Sequence, residues 1–146
     1  MLDTGKLPAR LAEIVEDFGY CQGKEKLEYL LEYAERLPDV PESLQGLRDD
    51  AHQVHECMTP IWLYVEENAG RYRFHFDVPR ESPTVRGFAS IMQQGAQDVT
   101  LAELLAIPFD FYYKMGLQEV LSDQRLNGIS AILYHMKRQA AATQGG

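Results

Sequence analysis

The stretch Ile61-Trp62-Leu63-Tyr64-Val65-Glu66-Glu67-Asn68-Ala69-Gly70-Arg71-Tyr72-Arg73-Phe74-His75-Phe76-Asp77-Val78 is where the chain turns to a two-residue period. In its first half Ile61, Leu63 and Val65 alternate with Trp62, Tyr64 and Glu66. In its second half Tyr72, Phe74, Phe76 and Val78 alternate with Arg71, Arg73, His75 and Asp77. Successive side chains of an extended strand point to opposite faces, so each half presents one apolar face. Aromatic and β-branched residues suit such a pleated, half-buried surface. Asn68-Ala69-Gly70 supplies the turn, and the whole predicts a β-hairpin.

Helical periods flank the hairpin on both sides. Upstream, Leu7, Leu11, Ile14, Val15 and Phe18 predict one amphipathic helix, broken near Gly19 to Gly23. Leu27, Leu30, Leu31, Ala34 and Leu37 predict a second, ended by Pro38. These two are expected to pair as an antiparallel helical hairpin. Between 38 and 56 the period is lost, and the segment reads as loop or a short edge strand. Downstream, Ser82-Pro83 places an N-cap and a first-turn proline before a helix with Val85, Phe88, Ala89 and Met92 on its apolar face. Thr100-Leu101-Ala102-Glu103 has capping-box form and opens a short helix stopping at Pro108. The run 109–115 predicts an aromatic turn or helix closed by Gly116. Ser122 is positioned to cap a last helix burying Leu126, Ile129, Ile132, Leu133 and Met136, with a frayed tail over 140–146. The expected class is α+β, with helices on one face of a small antiparallel sheet in a single domain over 1–146.

Composition narrows the function. The 146 residues carry a formal charge of -8, which argues against nucleic acid, whose phosphates require clustered Lys and Arg. The same balance disfavours anionic membrane surfaces. No apolar h-region follows Met1-Leu2-Asp3-Thr4-Gly5-Lys6, so no signal peptide is expected, and no stretch is long enough to span a bilayer. Two cysteines, Cys21 and Cys57, far apart in sequence and in dissimilar contexts, are too few for a disulfide framework, and there is no C-x-x-C pair. The expectation is a reducing cytoplasm with free thiols.

Cys57 sits where the polar loop meets the first strand, a position that presents a thiol on rigid support. An inert, buried Cys explains the same position. His52, His55 and Cys57, with Glu56, have donor types for zinc, but the spacing matches no common structural pattern and no second cluster completes it. His55 is a candidate to lower the Cys57 pKa if the local backbone is extended. Cys21 reads as a packing residue, and His75 and His135 have no partner pattern. Gly128 inside the last helix costs about 1 kcal/mol relative to Ala, which calls for a packing or docking reason. Arg125 reads equally as an ordinary surface cation.

Four motifs occur in order. They are Glu35-Arg36-Leu37-Pro38; Cys57-Met58-Thr59-Pro60-Ile61-Trp62; Glu81-Ser82-Pro83-Thr84-Val85-Arg86-Gly87; and Leu121-Ser122-Asp123-Gln124-Arg125-Leu126-Asn127-Gly128. Together they resemble the SufE family, the sulfur-acceptor proteins of iron–sulfur cluster assembly. The resemblance implies that Cys57 becomes persulfidated and that Glu81 and Arg125 lie near its loop, orienting it or the partner. It implies a SufS-like cysteine desulfurase as donor and a SufBCD-like iron–sulfur scaffold as recipient. The chain needs no cofactor of its own, since the pyridoxal phosphate belongs to the desulfurase. The sequence departs from the family in having Met58-Thr59-Pro60 where polar residues commonly follow the cysteine, and Glu81 where Asp is more usual. The rivals are an adaptor that activates the desulfurase without carrying sulfur, a zinc module, and a stand-alone thiol hydrolase. The sequence leaves the oligomeric state open, a homodimer included.

Overall fold

The computed structural model describes residues 5–144. Strands β1 (Trp62–Asn68) and β2 (Arg71–Asp77) form the expected hairpin, with Leu63 opposite Phe76 and Val65 opposite Phe74. This register puts the apolar residues of both strands on one face. Ala69 and Gly70 both have positive φ, 55° and 79°, the two-residue turn whose twist matches the strands it joins. A third strand, β3 (Val99–Thr100), pairs antiparallel with Tyr72 and Arg71 and completes the order β1-β2-β3. The sequence pattern marks Thr100 as a helix start alone. Thr100 does both, ending β3 and capping the next helix, because the cap is itself extended (φ -79°, ψ 164°).

The helices are α1 (Ala9–Gly19), α2 (Lys24–Glu35), α3 (Pro83–Gly95), α4 (Leu101–Leu105), α5 (Tyr112–Met115) and α6 (Asp123–Gln144). The α+β class is as expected. The capping box at α4 is formed, with Glu103 N–H donating to Thr100 Oγ1 and Thr100 N–H to Glu103 Oε1. Ser122 accepts from Arg125 N–H at the start of α6. The expected fraying of the tail meets a helix that runs on to Gln144, with Ala140 fully buried and the Thr143 hydroxyl near Tyr72. For Gly145 and Gly146 that expectation lies outside the described residues.

Two further expectations change. The outer face of the sheet is not bare, because the segment before β1 folds over it. Arg48 N–H donates to the Tyr64 hydroxyl, the His52 ring lies 4.9 Å from the Tyr64 ring, and Tyr64 is buried although it alternates with the core residues. The helical pair α1 and α2 meets mainly near its turn, where Phe18 touches Tyr29 and Tyr33. Along its length α2 packs on α3 instead, and α3 also contacts α1. A Cβ at Gly87 would lie 2.3 Å from the Leu30 carbonyl oxygen, and one at Gly95 would lie 2.8 Å from Leu11 Cδ1. The missing side chains set the helix spacing.

Chain ends in the interior are satisfied by buried cations. Lys26 Nζ donates to the carbonyls of Phe18 and Cys21, closing the end of α1. Arg86 donates to Val78 and Leu37, joining the end of β2 to the end of α2. Lys137 donates to Leu105 and Ile107 beyond α4. Burial pulls Arg86 and Lys137 below their ordinary pKa values. Carbonyls at helix ends lack intrahelical donors, and these side chains supply them.

Gly87→Ala should lower the stability of the fold by roughly 1–3 kcal/mol, the usual cost of overpacking. Urea unfolding reads it as a lower midpoint. An unchanged midpoint would mean that α2 and α3 are not held at this spacing.

Candidate functional site

Cys57 lies at the tip of a loop closed at its neck. Val54 N–H donates to the Ile61 carbonyl at 2.9 Å, and Gln53 bridges Trp62 just beyond. Val54 and Ile61 are both fully buried, so the neck is anchored in the core while residues 55–60 project from it. The segment expected to be loop or edge strand is loop, with short 3-10 turns at Glu42–Leu44 and Asp50–His52, and it meets the sheet through the isolated Gln53–Trp62 bridge without forming a strand.

The loop folds back onto α6. The Cys57 thiol points to the carbonyl of Gly128 at 3.6 Å, and a Cβ on Gly128 would sit 3.4 Å from Sγ. This is the packing reason for a glycine inside the last helix. Beside the thiol is a cavity of about 140 Å³, walled by Val85, Ile129, Ile132, Thr84 and Arg125 among others. Met58 stands at its edge, 75% exposed. Two further ties hold the loop. The Ser82 hydroxyl donates to Thr59 Oγ1 at 3.1 Å, and His135 Nε2 donates to Glu56 Oε1 at 2.9 Å. Ser82 occupies the N-cap position of α3 as expected, but makes no side-chain cap bond; its hydroxyl is engaged by the loop instead.

These surroundings decide the thiol's state. Burial, with the adjacent Glu56 charge adding to it, pushes the Cys57 thiol up to about 12. The closed loop therefore holds a neutral thiol, and only a thiolate is a good nucleophile. Partial burial would raise the Glu56 carboxyl as well, but hydrogen bonds from His135 and the backbone outweigh it and hold it below its usual value.

The sequence candidates separate here. Arg125 lines the Cys57 cavity from the first turn of α6, where the helix dipole disfavours a cation by about 0.3–1 kcal/mol. Glu81 is exposed and lines a neighbouring polar cleft with Arg48, Asp77, Arg80 and Arg86. The next residue along the chain, Ser82, is the one bonded to the loop. His55 is turned away, paired with Asp50 at 3.1 Å, and has no part in the thiol's shift. The reason is that residues 55–57 form a turn, with Cys57 N–H donating to the Val54 carbonyl, rather than the extended backbone the sequence argument needed. His52 faces Asp49, so His52, His55 and Cys57 do not converge, and no group of metal-binding residues occurs among the described residues. Cys21 is partly buried in the turn before α2. No described helix is long and apolar enough to cross a membrane.

Sequence reading weighed Glu56 only as a zinc donor and gave His135 no partner, and it missed the loop contacts of Thr59 and Ser82. One signal was available: His135 follows Gly128 by seven residues, about two helical turns, and so shares its face.

Residues 12–140 match the family model for SufE, described as an Fe-S metabolism associated domain. The chain is 44% identical over 140 residues to an uncharacterized SufE-like protein of Mycobacterium tuberculosis, covering 95% of this chain and 96% of that one. It is 27% identical over 129 residues to the cysteine desulfuration protein SufE of Wigglesworthia glossinidia brevipalpis, covering 86% of each. The solution structure of a hypothetical protein from Thermus thermophilus superimposes with a TM-score of 0.83 at 30% identity, over 96% of this chain and 99% of that one.

In the native protein, alkylation of Cys57 by iodoacetamide should keep rising across about pH 8–10 without a plateau, whereas the urea-unfolded chain levels off above its ordinary value of 9.0. The neutral thiol also stabilises the fold. That contribution is full below about pH 9 and is lost as pH climbs towards 12. A plateau below pH 9 in the native protein would overturn the sheltered thiol.

Proposed function

The chain belongs to the SufE family, and on that premise we propose that Cys57 accepts sulfane sulfur from a cysteine desulfurase, in the cytoplasm, and relays it to an iron–sulfur scaffold. The observation that carries this reading is the seating of Cys57: a loop-tip thiol, tethered at a buried neck, folded against Gly128 beside a cavity of about 140 Å³. By the same measure a water needs only roughly 10–15 Å³, so one added sulfur atom fits beside the thiol.

The chemistry is thiol exchange. Cys57-S⁻ attacks the outer sulfur of the donor persulfide R-S-SH. One S–S bond forms as another breaks, giving Cys57-S-SH and R-S⁻ with no net oxidation and with the proton kept on the transferred sulfur. A thiol held neutral at rest does not attack, so acceptance requires the loop to swing out, releasing Cys57 from Gly128 and from the apolar wall. Return to the cavity then shields the persulfide from water and reductants. Arg125 in the cavity wall, and Glu81 beside Ser82, are placed to steer the loop or the docked partner. The pyridoxal phosphate that cleaves the carbon–sulfur bond is the desulfurase's own.

Incubation with a cysteine desulfurase and cysteine should add the mass of one sulfur to the peptide containing Cys57, and Cys57→Ser should abolish both this gain and stimulation of sulfide release. A Cys57→Ser protein that still stimulates the desulfurase, with no sulfur gained by the parent, would make the chain an activating adaptor.

A further inference from the structure

Among the described residues, the loop bearing Cys57 makes two charged ties, one from His55 back to Asp50 on its outer side and one from Glu56 across to α6. Glu56, the residue before the thiol, is bonded to His135 on α6 at 2.9 Å. A carboxylate oxygen only accepts, so the imidazole carries its proton on Nε2. The two partners differ in their surroundings. The His135 side chain is 9% exposed, whereas that of Glu56 is 52% exposed. Moving the loop outward costs Glu56 little, since water replaces the bond. For His135 it removes the acceptor of a ring N–H that the closed structure shelters, which is the more expensive side of a broken hydrogen bond.

We propose that the Glu56–His135 pair is the catch that holds the sulfur loop closed on α6, with His135 as a positioning residue for Cys57. The proposal rests on the reading of Cys57 as a mobile sulfur carrier. His135 and Gly128 lie on one face of α6, so the catch and the thiol seat are on the same rigid element. The opposite limb of the loop is tied by the neutral Thr59–Ser82 hydrogen bond. The charged and titratable groups around the seat are few: Glu56 on the loop, and Arg125 and His135 on α6, while His55 is occupied by Asp50 at the outer side of the loop. The Tyr134 ring meets the His135 ring edge-on, at 5.6 Å and 89°, and helps fix its orientation. The arrangement couples position to reactivity. With the catch closed, Glu56 stands beside a buried thiol and opposes its ionisation; opening withdraws both from the apolar wall together.

The test is the alkylation rate of Cys57 by iodoacetamide in the native protein, in a Cys21→Ser background so that one thiol reports. His135→Ala should raise the rate about tenfold, the factor expected from losing one charge-assisted hydrogen bond. Glu56→Ala should do the same, and the double variant should be no faster than the faster single one, because each removes the same tie. His135→Gln, whose amide can still donate to Glu56, should stay near the parent. Glu56→Gln keeps an acceptor while removing the charge, so the gap between Glu56→Gln and Glu56→Ala isolates the tie from the effect of charge on the thiol. If His135→Ala does not fold, that gap carries the test alone. Additive accelerations, a His135→Ala rate equal to the parent, or no gap between the two Glu56 variants would overturn the catch. No desulfurase enters the measurement, so failure of the catch is separate from failure of Cys57 to gain sulfur.

Discussion

Helix α3 lies against α1 and α2 because Gly87 and Gly95 carry no side chain where Leu30 and Leu11 press in. Interiors are packed as densely as organic crystals, so a methyl group at either point displaces a helix and is not absorbed. The seat of α3 fixes more than the core. Its N-cap is Ser82, which holds Thr59 of the Cys57 loop, and its first turn carries Thr84 and Val85, which wall the thiol cavity. Arg86, one residue before Gly87, gathers the ends of β2 and α2 by their carbonyls. A shift of α3 would therefore pass directly to the site.

On the proposed reading of Cys57 as a sulfur carrier, the site has two opposed requirements to meet. A carrier thiol must react readily with a donor persulfide, yet its persulfide must survive between partners. Chemistry alone does not grant both, since the same ionisation that favours attack favours loss. The proposed swing of the loop separates the two in space, and the structure shows the sheltered position. The closed loop offers an apolar wall, a carbonyl as acceptor and a neighbouring carboxylate, all of which favour the neutral thiol. The neck at Val54 and Ile61 keeps the loop's ends in the core, so residues 55–60 can move as a unit while the hairpin stays intact.

Local signals in the chain were legible where they arise from neighbours in sequence. The hairpin alternation, the box at Thr100 and Glu103, the cap at Ser122 and the stop at Gly116 are of this kind. What was misread depended on distant partners. Tyr64 alternates with core residues and ought to face solvent, but the segment around Arg48 and His52 folds over it. Ser82 has the sequence of a helix cap, yet its hydroxyl turns to Thr59. His55 looked like the neighbour to tune Cys57, and the turn at 55–57 sends it to Asp50. A two-residue strand such as β3 leaves too few residues for any period to register.

By itself the sequence determined the α+β class, the hairpin, the helical segments and the family to which the chain belongs, because each rests on periodicity or on ordered short motifs. It also singled out Cys57, Arg125 and the unexplained glycine at 128. Only the tertiary structure decided that Gly128 is the seat of the thiol, that Arg125 shares its cavity while Glu81 does not, and that His135 is tied to Glu56 across 79 positions. The physical reason is that burial, ionisation and hydrogen-bond partnership are properties of an assembled environment. A residue's neighbours along the chain specify its backbone, whereas the chemistry of a thiol is specified by whatever the fold brings against it.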